Sequence, residues 1–335
     1  MRTQRRVILA LWLVSLLTMS CSQLSAQNAA STGTKLDEYV TELASAQRFS
    51  GSVLVARDGH VVLVKGYGMA NYEWDIPNTP STKFRLGSIT KQFTSMAIMQ
   101  LEEKGLLSVN DPITKHLPDY PKTGDRITIQ HLLTHSSGIP SYTDGPDYRK
   151  NMRVAFSTAQ MIDGFKDKPL EFTPGEQFKY DNSGYFLLGA IIEKISGQAY
   201  DQYLQTHIFD PLGMKDSGYD RPQTLLKRRA AGYEWSASGL RNTEYLDMGQ
   251  PFAAGSLYST VEDLYTWDQA LYTEKIVKRA TLDTIFTPRI DAGATGKYAY
   301  GWAVSTVHKR QMIGHGGVST AFPRLSRASP TSARS

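Results

Sequence analysis

The sequence predicts an α+β fold, in which an antiparallel sheet is flanked by helices and a helical subdomain is inserted. Three observations support this class: a hairpin pattern near the start, helical periodicity through the middle, and strand patterns near the end. Neither repeats nor a low-complexity linker separate these parts. A chain of 335 residues can form one large domain or two closely packed ones. We expect one main domain over residues 35–322.

The first part of this domain predicts a helix followed by a hairpin. Apolar residues at helical spacing mark an amphipathic helix over residues 35–49. Two apolar runs, residues 52–56 and 61–64, flank Asp58-Gly59, which is a strong signal for a tight hairpin turn.

The later parts predict shorter helices and a pair of strands. Thr128 and Thr260 are placed as caps at the N-terminal ends of two of these helices. The predicted elements are helices over residues 129–135, 185–195 and 199–208, a helix that follows Thr260, and paired strands over residues 298–304 and 310–313.

A buried helix of about four or five turns is predicted to follow Gly87. Apolar residues recur at helical spacing as far as Leu101, and Gly105 ends the pattern. Ser88 and Lys91 lie three residues apart near the first turn, so they share one helix face. A helix N-terminus adds unpaired N–H groups and a partial positive charge. Ser-x-x-Lys is common by chance, but a serine, an amine and free N–H groups are what an activated acyl-transfer nucleophile needs.

The first 26 residues have the pattern of a secretory signal peptide. Three arginines precede a short apolar run, and Leu24-Ser25-Ala26 precedes the expected cleavage point. Removing these arginines lowers the formal net charge from +5 to +2, which gives no reason to expect a nucleic-acid partner. Cleavage before Cys21, the only cysteine, would instead give a lipid-anchored protein. We expect a periplasmic or secreted protein with a spacer over residues 27–34 and no membrane span after cleavage.

Three motifs stand in order along the chain: Ser88-x-x-Lys91, Tyr180-x-Asn182 and His315-Gly316-Gly317. They are accompanied by the phrases Phe84-Arg85-Leu86-Gly87, His131-Leu132-Leu133-Thr134-His135-Ser136-Ser137-Gly138, Thr173-Pro174-Gly175 and Ser183-Gly184-Tyr185. With these motifs the chain resembles the serine β-lactamase and penicillin-binding-protein superfamily, in the branch of class C β-lactamases, D-alanyl-D-alanine carboxypeptidases and related esterases. The resemblance implies the β-lactamase/transpeptidase-like fold.

The resemblance also implies a role for each residue of the first two motifs. Ser88 would be the acylated nucleophile, and Lys91 would hold the proton network together. Tyr180 would be the general base, for which its pKa must fall below the reference value of about 10. Whether Lys91 or Tyr180 is the true base stays open. Asn182 would bind the amide side chain of the substrate.

The third motif would line the opposite wall of the cleft. His315, Gly316 and Gly317 would contact the substrate there, and the backbone N–H groups of Ser88 and Val318 would form the oxyanion hole. His315 stands where class C β-lactamases carry a lysine. A histidine is the form seen in many D-peptidases and esterases, so it weakens an assignment as a β-lactamase.

The C-terminus departs from the family pattern. Only 18 residues follow Gly317, against the roughly fifty that two strands and a helix would need. Residues 323–335 contain three arginines and two prolines and form an atypical polar tail. We expect the last two strands and the final helix of the family to be missing, and residues 323–335 to be unpaired coil.

The sequence therefore predicts a secreted serine hydrolase that forms an acyl-enzyme on Ser88. Amide, ester or β-lactam carbonyls would be its substrates, as in D-alanyl peptidases, esterases or β-lactamases. The alternative is a catalytically inactive truncated relative, or a non-enzymatic protein that binds peptidoglycan fragments. We expect a monomer, a small-molecule or peptide substrate, and no cofactor or metal. Although His131 and His135 are four residues apart, Leu132 stands where a zinc motif needs glutamate, so His135 is interpreted as a buried hydrogen-bonding group near the cleft.

Overall fold

The structure, a computed structural model, describes residues 30–319 and 322–325. The predicted signal peptide and Cys21 lie outside these residues. The chain divides between Thr82 and Lys83 into two compact units. Among the described helices, none has both the length and the apolar character needed to cross a membrane.

The first unit begins with helix α1 over residues 30–45. Residues 30–34, predicted as spacer, are therefore helical, and residues 27–29 lie outside the described part. Apart from Ala30, residues 30–34 are poor helix formers, so contacts of the helix rather than local propensity hold it, and Asp37 makes two of them. Its carboxylate accepts hydrogen bonds from Lys65 Nζ at 2.7 Å and Tyr67 Oη at 2.8 Å.

The predicted hairpin is confirmed. Strand β1 (Gly51–Arg57) pairs antiparallel with β2 (His60–Tyr67). Asp58 and Gly59 both have positive φ, 52° and 75°, as a turn that matches the right-handed twist of two strands requires. A second small hairpin follows, β3 (Met69–Asn71) with β4 (Ile76–Pro77).

The second unit is built mainly of helices with short strands between them. Its helices are α2 (Thr90–Glu103), α3 (Ile129–Leu133), α4 (Tyr148–Asn151), α5 (Thr158–Asp163), α6 (Asn182–Ser196), α7 (Tyr200–Leu204), α8 (Asp210–Leu212), α9 (Val261–Ala270) and α10 (Arg279–Phe286). Its strands are β5 (Phe84–Arg85), β6 (Gly218–Tyr219), β7 (Tyr233–Ser236), β8 (Gly239–Asn242), β9 (Leu257–Ser259), β10 (Ile290–Asp291), β11 (Lys297–Tyr298), β12 (Ala303–Val307), β13 (Arg310–Gly314), β14 (Gly317–Ser319) and β15 (Phe322–Leu325).

Helices α2 and α6 form the centre of the core. The residues of α2 from Thr90 to Leu101 are all buried, polar ones included. Thr94 satisfies its hydroxyl by bonding to the Ala253 carbonyl at 2.7 Å, and Phe93 stacks on Trp267 with ring centroids 4.4 Å apart. Each fully buried apolar side chain of this kind contributes about 1.5–3 kcal/mol. The buried helix predicted after Gly87 is thus confirmed.

The strands at the end of the chain differ from the prediction. β12 pairs with β13 as expected, but residues 299–302 lie outside any strand. The predicted coil after residue 322 is wrong for residues 323–325, because β15 pairs antiparallel with β14. A strand can pair through its backbone N–H and C=O groups whatever its side chains are. The prediction of coil was wrong here because it was based on the side-chain pattern alone. Residues 326–335 lie outside the described part.

Candidate active site

Ser88 lies at the junction between a strand and the central helix. Strand β5 pairs with β9, and the Leu86 N–H donates to the Leu257 carbonyl at 2.8 Å. The chain then turns through a 3₁₀ helix, Gly87–Ile89, before α2 begins. Gly87 has φ +53°, which favours glycine. This turn leaves Ser88 partly exposed although its two neighbours are buried.

Lys91 is fully buried and hydrogen-bonded at its amine. Its Nζ lies 3.1 Å from Ser88 Oγ, as the shared helix face predicted, and 2.8 Å from both Asn182 Oδ1 and the Ala254 carbonyl oxygen. Burial lowers the pKa of Lys91 to about 7, and the nearby Asp181 carboxylate opposes part of that fall. A lysine amine at this position can therefore lose its proton near neutral pH.

Tyr180 lies beside this pair, but its pKa moves the opposite way from the expectation. Its ring centroid is 4.9 Å from Lys91 Nζ, and its hydroxyl is buried without a well-formed hydrogen bond. Burial raises the pKa of this hydroxyl well above 10, and the nearby Ser88 side chain acts in the opposite direction without cancelling the rise. The predicted lowering of the Tyr180 pKa is absent.

Asn182 lies in the first turn of α6, three residues earlier than the sequence predicted for this helix. Its Oδ1 accepts from Lys91, and its Nδ2 donates to Thr143 Oγ1 at 3.0 Å. The helix starts early because Asp181 caps it, accepting from the Gly184 N–H at 3.0 Å. Both ends of the Asn182 amide are thus bonded within the protein, whereas the sequence analysis assigned it to substrate.

Asp181 is a site residue that the sequence analysis missed. It is 3% exposed, and burial raises the pKa of its carboxyl to about 7, against the lowering effects of the Gly184 N–H and the Ser137 hydroxyl. An aspartate directly before an apolar helix is a cap signal, which could have identified it. Its position next to Lys91 could not have been read from the sequence.

The third motif follows β13 and leads into β14. His315 is 7% exposed, and both of its ring nitrogens are bonded: Nε2 to Tyr298 Oη at 2.8 Å and Nδ1 to the Gly316 carbonyl at 2.6 Å. Burial lowers the pKa of His315 to about 4, with a further contribution from the Lys91 charge. His315 is therefore a neutral imidazole at physiological pH.

The glycine that ends the third motif packs against the turn that carries Ser88. A Cβ atom on Gly317 would lie 1.8 Å from the Leu86 carbonyl oxygen and 3.2 Å from Ser88 N. A Cβ atom on Gly87 would in turn lie 2.9 Å from Val318 N. The two glycines let the backbones that carry the predicted oxyanion-hole N–H groups come close together.

The structure thus brings most of the predicted site residues into one cluster. Ser88, Lys91 and Asn182 are joined by direct hydrogen bonds, with the Tyr180 ring beside them. The His315 ring lies 6.1 Å from that of Tyr180, centroid to centroid. Gly316 is exposed, and its carbonyl oxygen accepts from His315 Nδ1.

Two further residues, His135 and Tyr298, are linked to the third motif by hydrogen bonds that the sequence did not predict. His135 is fully buried, and its Nδ1 accepts from the Asp181 backbone N–H at 3.1 Å, which confirms it as a buried hydrogen-bonding residue. Tyr298 lies between His135 and His315 and was predicted only as a strand residue. A tyrosine in an apolar strand pattern gives no signal of this position.

Comparison with known proteins identifies relatives of this fold and site. The β-lactamase family matches residues 36–328. The teichoic acid D-alanine hydrolase of Staphylococcus aureus is 31% identical over 258 residues, which cover 76% of this chain and 59% of that protein. The chain spans between 59% and 65% of the length of three curated relatives that it matches.

Two solved structures share the fold. The octameric penicillin-binding protein homologue from Pyrococcus abyssi superposes with a TM-score of 0.75 at 34% identity, covering 85% of this chain and 68% of that one. The D-amino acid amidase from Ochrobactrum anthropi SV3, solved with L-phenylalanine amide, gives a TM-score of 0.72 at 26% identity, covering 85% of each chain. The match over most of its length and the order of its three motifs place this chain in the β-lactamase family.

Proposed function

We propose that this protein is a serine hydrolase in which Ser88 attacks an ester or amide carbonyl and forms an acyl-enzyme. One observation carries the proposal: a fully buried lysine, with a pKa of about 7, has its amine 3.1 Å from the oxygen of a partly exposed serine. A serine is a weak nucleophile until a neighbouring base takes its proton. Lys91 lies in the position of such a base beside Ser88.

Lys91 is the proposed general base. Asn182 Oδ1 and the Ala254 carbonyl oxygen can only accept hydrogen bonds, so they take the two N–H bonds of a neutral amine. The lone pair of that amine then faces the Ser88 hydroxyl. On attack, the Ser88 proton passes to Lys91, a bond forms between Oγ and the carbonyl carbon, and the ammonium returns a proton to the leaving alcohol or amine.

Tyr180 is proposed as a hydrogen-bond donor in this step. Because burial holds its pKa above the ordinary value, the hydroxyl keeps its proton and can donate to the reacting oxygen or to the leaving group. The oxyanion would accept from the backbone N–H groups of Ser88 and Val318, whose chains the glycines bring together. Water would then hydrolyse the acyl-enzyme with Lys91 again as base.

The proposed substrates are D-aminoacyl esters and amides without a free carboxylate near the third motif. His315 is neutral, and both its nitrogens are bonded within the protein, so it supplies neither a charge nor a free donor to a carboxylate. β-Lactams and peptides with a terminal carboxylate would lack that partner. A D-alanine hydrolase and a D-amino acid amidase among the relatives support the D-aminoacyl part of the proposal.

The test measures both the adduct and the substrate preference. Intact-mass analysis after incubation with a fluorophosphonate should show one adduct, which Ser88→Ala abolishes. Hydrolysis of D-alanine amide or a D-alanyl ester should exceed hydrolysis of the matched D-alanyl-D-alanine dipeptide, which keeps its carboxylate. An adduct that persists in Ser88→Ala would refute the assignment of the nucleophile.

The same experiment separates this enzyme from a non-catalytic relative. A protein that only binds peptidoglycan fragments would retain ligands but form no adduct. Faster turnover of the dipeptide than of the amide would refute the substrate class while leaving the nucleophile in place.

Export and a monomeric state are further proposals. The signal-peptide pattern of residues 1–26 supports a periplasmic or secreted location, which the N-terminal sequence of the exported protein would test. The Pyrococcus abyssi relative is octameric, so the proposed monomeric state needs a direct test. Light scattering on the purified protein measures its molar mass in solution.

A further inference from the structure

A continuous chain of hydrogen bonds runs behind the proposed site from α6 to the third motif. The Asp181 backbone N–H bonds to His135 Nδ1 at 3.1 Å, and His135 Nε2 bonds to Tyr298 Oη at 3.2 Å. The same Tyr298 oxygen bonds to His315 Nε2 at 2.8 Å, and His315 Nδ1 bonds to the Gly316 carbonyl at 2.6 Å. His135 and Tyr298 are both fully or almost fully buried, and neither has a part in the acyl-transfer steps.

The two ends of this chain determine the direction of every bond. A backbone N–H can only donate, so His135 Nδ1 must accept, and a neutral His135 then carries its proton on Nε2. A carbonyl can only accept, so His315 must donate from Nδ1, which leaves its Nε2 as an acceptor. The single Tyr298 proton therefore goes to His315, and Tyr298 accepts from His135.

The charges around the chain favour this neutral arrangement. Burial and the charge of Lys91 hold the pKa of His135 well below its ordinary value, with His315 adding to the effect. The same two causes hold His315 neutral. A second proton on either ring would put two donors face to face at one of these bonds.

The chain also holds the proposed catalytic tyrosine. The His135 ring lies over Tyr180, with centroids 4.2 Å apart and planes inclined by 32°, and it packs on Tyr185 at 5.0 Å. The His315 ring also lies near Tyr180, with centroids 6.1 Å apart. A ring that bonds at both nitrogens cannot rotate without breaking a bond, so His135 fixes one face of Tyr180.

We propose that His135 and Tyr298 are positioning residues, which hold Tyr180 and the third motif in place beside Ser88 through one directed hydrogen-bond chain. The proposal deepens the proposed function and rests on it for its kinetic part. It assigns opposite tautomers to two histidines: Nε2–H for His135 and Nδ1–H for His315. A purely space-filling role would require neither tautomer.

The first experiment reads the tautomers directly and needs no activity. Long-range nitrogen–proton NMR spectra of the ¹⁵N-histidine-labelled protein should show one Nε2–H and one Nδ1–H ring that do not titrate near pH 6. The chain has seven histidines, so His135→Gln and His315→Gln assign the two signals. Tyr298→Phe keeps the ring and removes the link. The two end bonds remain, so both tautomers should persist, while the Nε2 signals of His135 and His315 should shift because each nitrogen loses its partner. The opposite tautomer at either histidine would overturn the proposal.

The second experiment measures the kinetic consequence. Tyr298→Phe should lower kcat about three- to tenfold, the value of one hydrogen bond, with little change in KM. The matched control is Tyr300→Phe two residues away, which removes a hydroxyl that bonds to Gln130 Oε1 at 2.7 Å, outside the chain. Equal kcat values for both variants, with both melting as the parent does, would also overturn the proposal. If the parent forms no adduct on Ser88, the proposed function fails while the tautomer result stands on its own.

Discussion

Gly317 lies directly against the Leu86 carbonyl, so closely that a Cβ atom at position 317 would be 1.8 Å from that oxygen. No real Cβ approaches a backbone oxygen so closely, and neither partner is a flexible side chain that could move aside. The third motif and the turn that carries Ser88 can therefore lie this close only because position 317 has no side chain.

Gly317→Ala should therefore separate the third motif from the Ser88 turn. We expect loss of most esterase or amidase activity and a decrease in the free energy of unfolding of about 1–3 kcal/mol, the usual cost of overpacking. Denaturant unfolding and steady-state kinetics on the same preparation measure both effects. Gly145→Ala is the control, because a Cβ there meets only the Tyr142 carbonyl oxygen at an ordinary 3.7 Å. Full activity in Gly317→Ala would mean that the two backbones are not held in this way.

The activity should depend on pH through the ionisation of Lys91. Only the neutral amine can accept the Ser88 proton, and the pKa of Lys91 is about 7, so kcat/KM should rise as the pH increases through about 7. The Asp181 carboxylate attracts the ammonium and raises the pKa of Lys91. Asp181→Asn, which keeps a capping oxygen for Gly184, should therefore move the acid limb of the profile to lower pH.

A pH–rate profile from about pH 5 to 9 checks this prediction. Asp247→Asn is the control, because Asp247 also accepts from a backbone N–H, that of Gly249, but does not act on the charge of Lys91. The assignment of Lys91 as the base would be contradicted if the acid limb of the profile shifted equally in both variants, or if it shifted to higher pH in Asp181→Asn.

The two candidate bases should differ in the size of their effects. Lys91→Met keeps most of the buried volume and removes the amine, and should lower kcat by about 10²–10⁴, the usual contribution of general acid–base catalysis. Tyr180→Phe should lower kcat less, since its hydroxyl keeps its proton and only donates. The kcat values of both variants are measured on one reporter ester, and Ser88→Ala gives the background rate without the nucleophile. A larger loss in Tyr180→Phe would make Tyr180 the base, as the family resemblance first suggested.

The stability of strand β5, which leads to Ser88, should depend on a buried ion pair. Asp220 has a side chain only 1% exposed and receives Arg85 Nε and Arg229 Nη1, each at 2.6 Å. Asp220→Ala leaves the 11%-exposed Arg85 side chain without its carboxylate, which typically costs about 3–5 kcal/mol. Asp147→Ala, which breaks an exposed pair with Lys150, should leave the melting temperature unchanged. Similar melting of the two variants would show that Arg85 finds another partner.

The sequence predicted the local elements wherever a local signal existed. Asp58-Gly59 specified its hairpin because few other residues take two consecutive positive φ values. Thr128 and Thr260 capped their helices as predicted, accepting from His131 N and Asp263 N. The start of α6 was placed late because Asn182 and the two residues after it lack apolar periodicity, whereas the Asp181 cap sets the true start.

The sequence by itself determined the family, the helix that carries Ser88, and the pairing of Ser88 with Lys91, because residues three apart on a helix must share a face. Only the tertiary structure decided which groups surround that pair. The pKa of Lys91 falls because its amine is buried away from water, where it bonds to the Ala254 carbonyl 163 positions away in sequence. The pKa of Tyr180 rises because its hydroxyl is buried too. His135 and Tyr298, which also lie 163 positions apart in sequence, are hydrogen-bonded to each other, and Tyr298 links His135 to His315. Desolvation and long-range contacts depend on how the whole core packs, and no local pattern of residues encodes them.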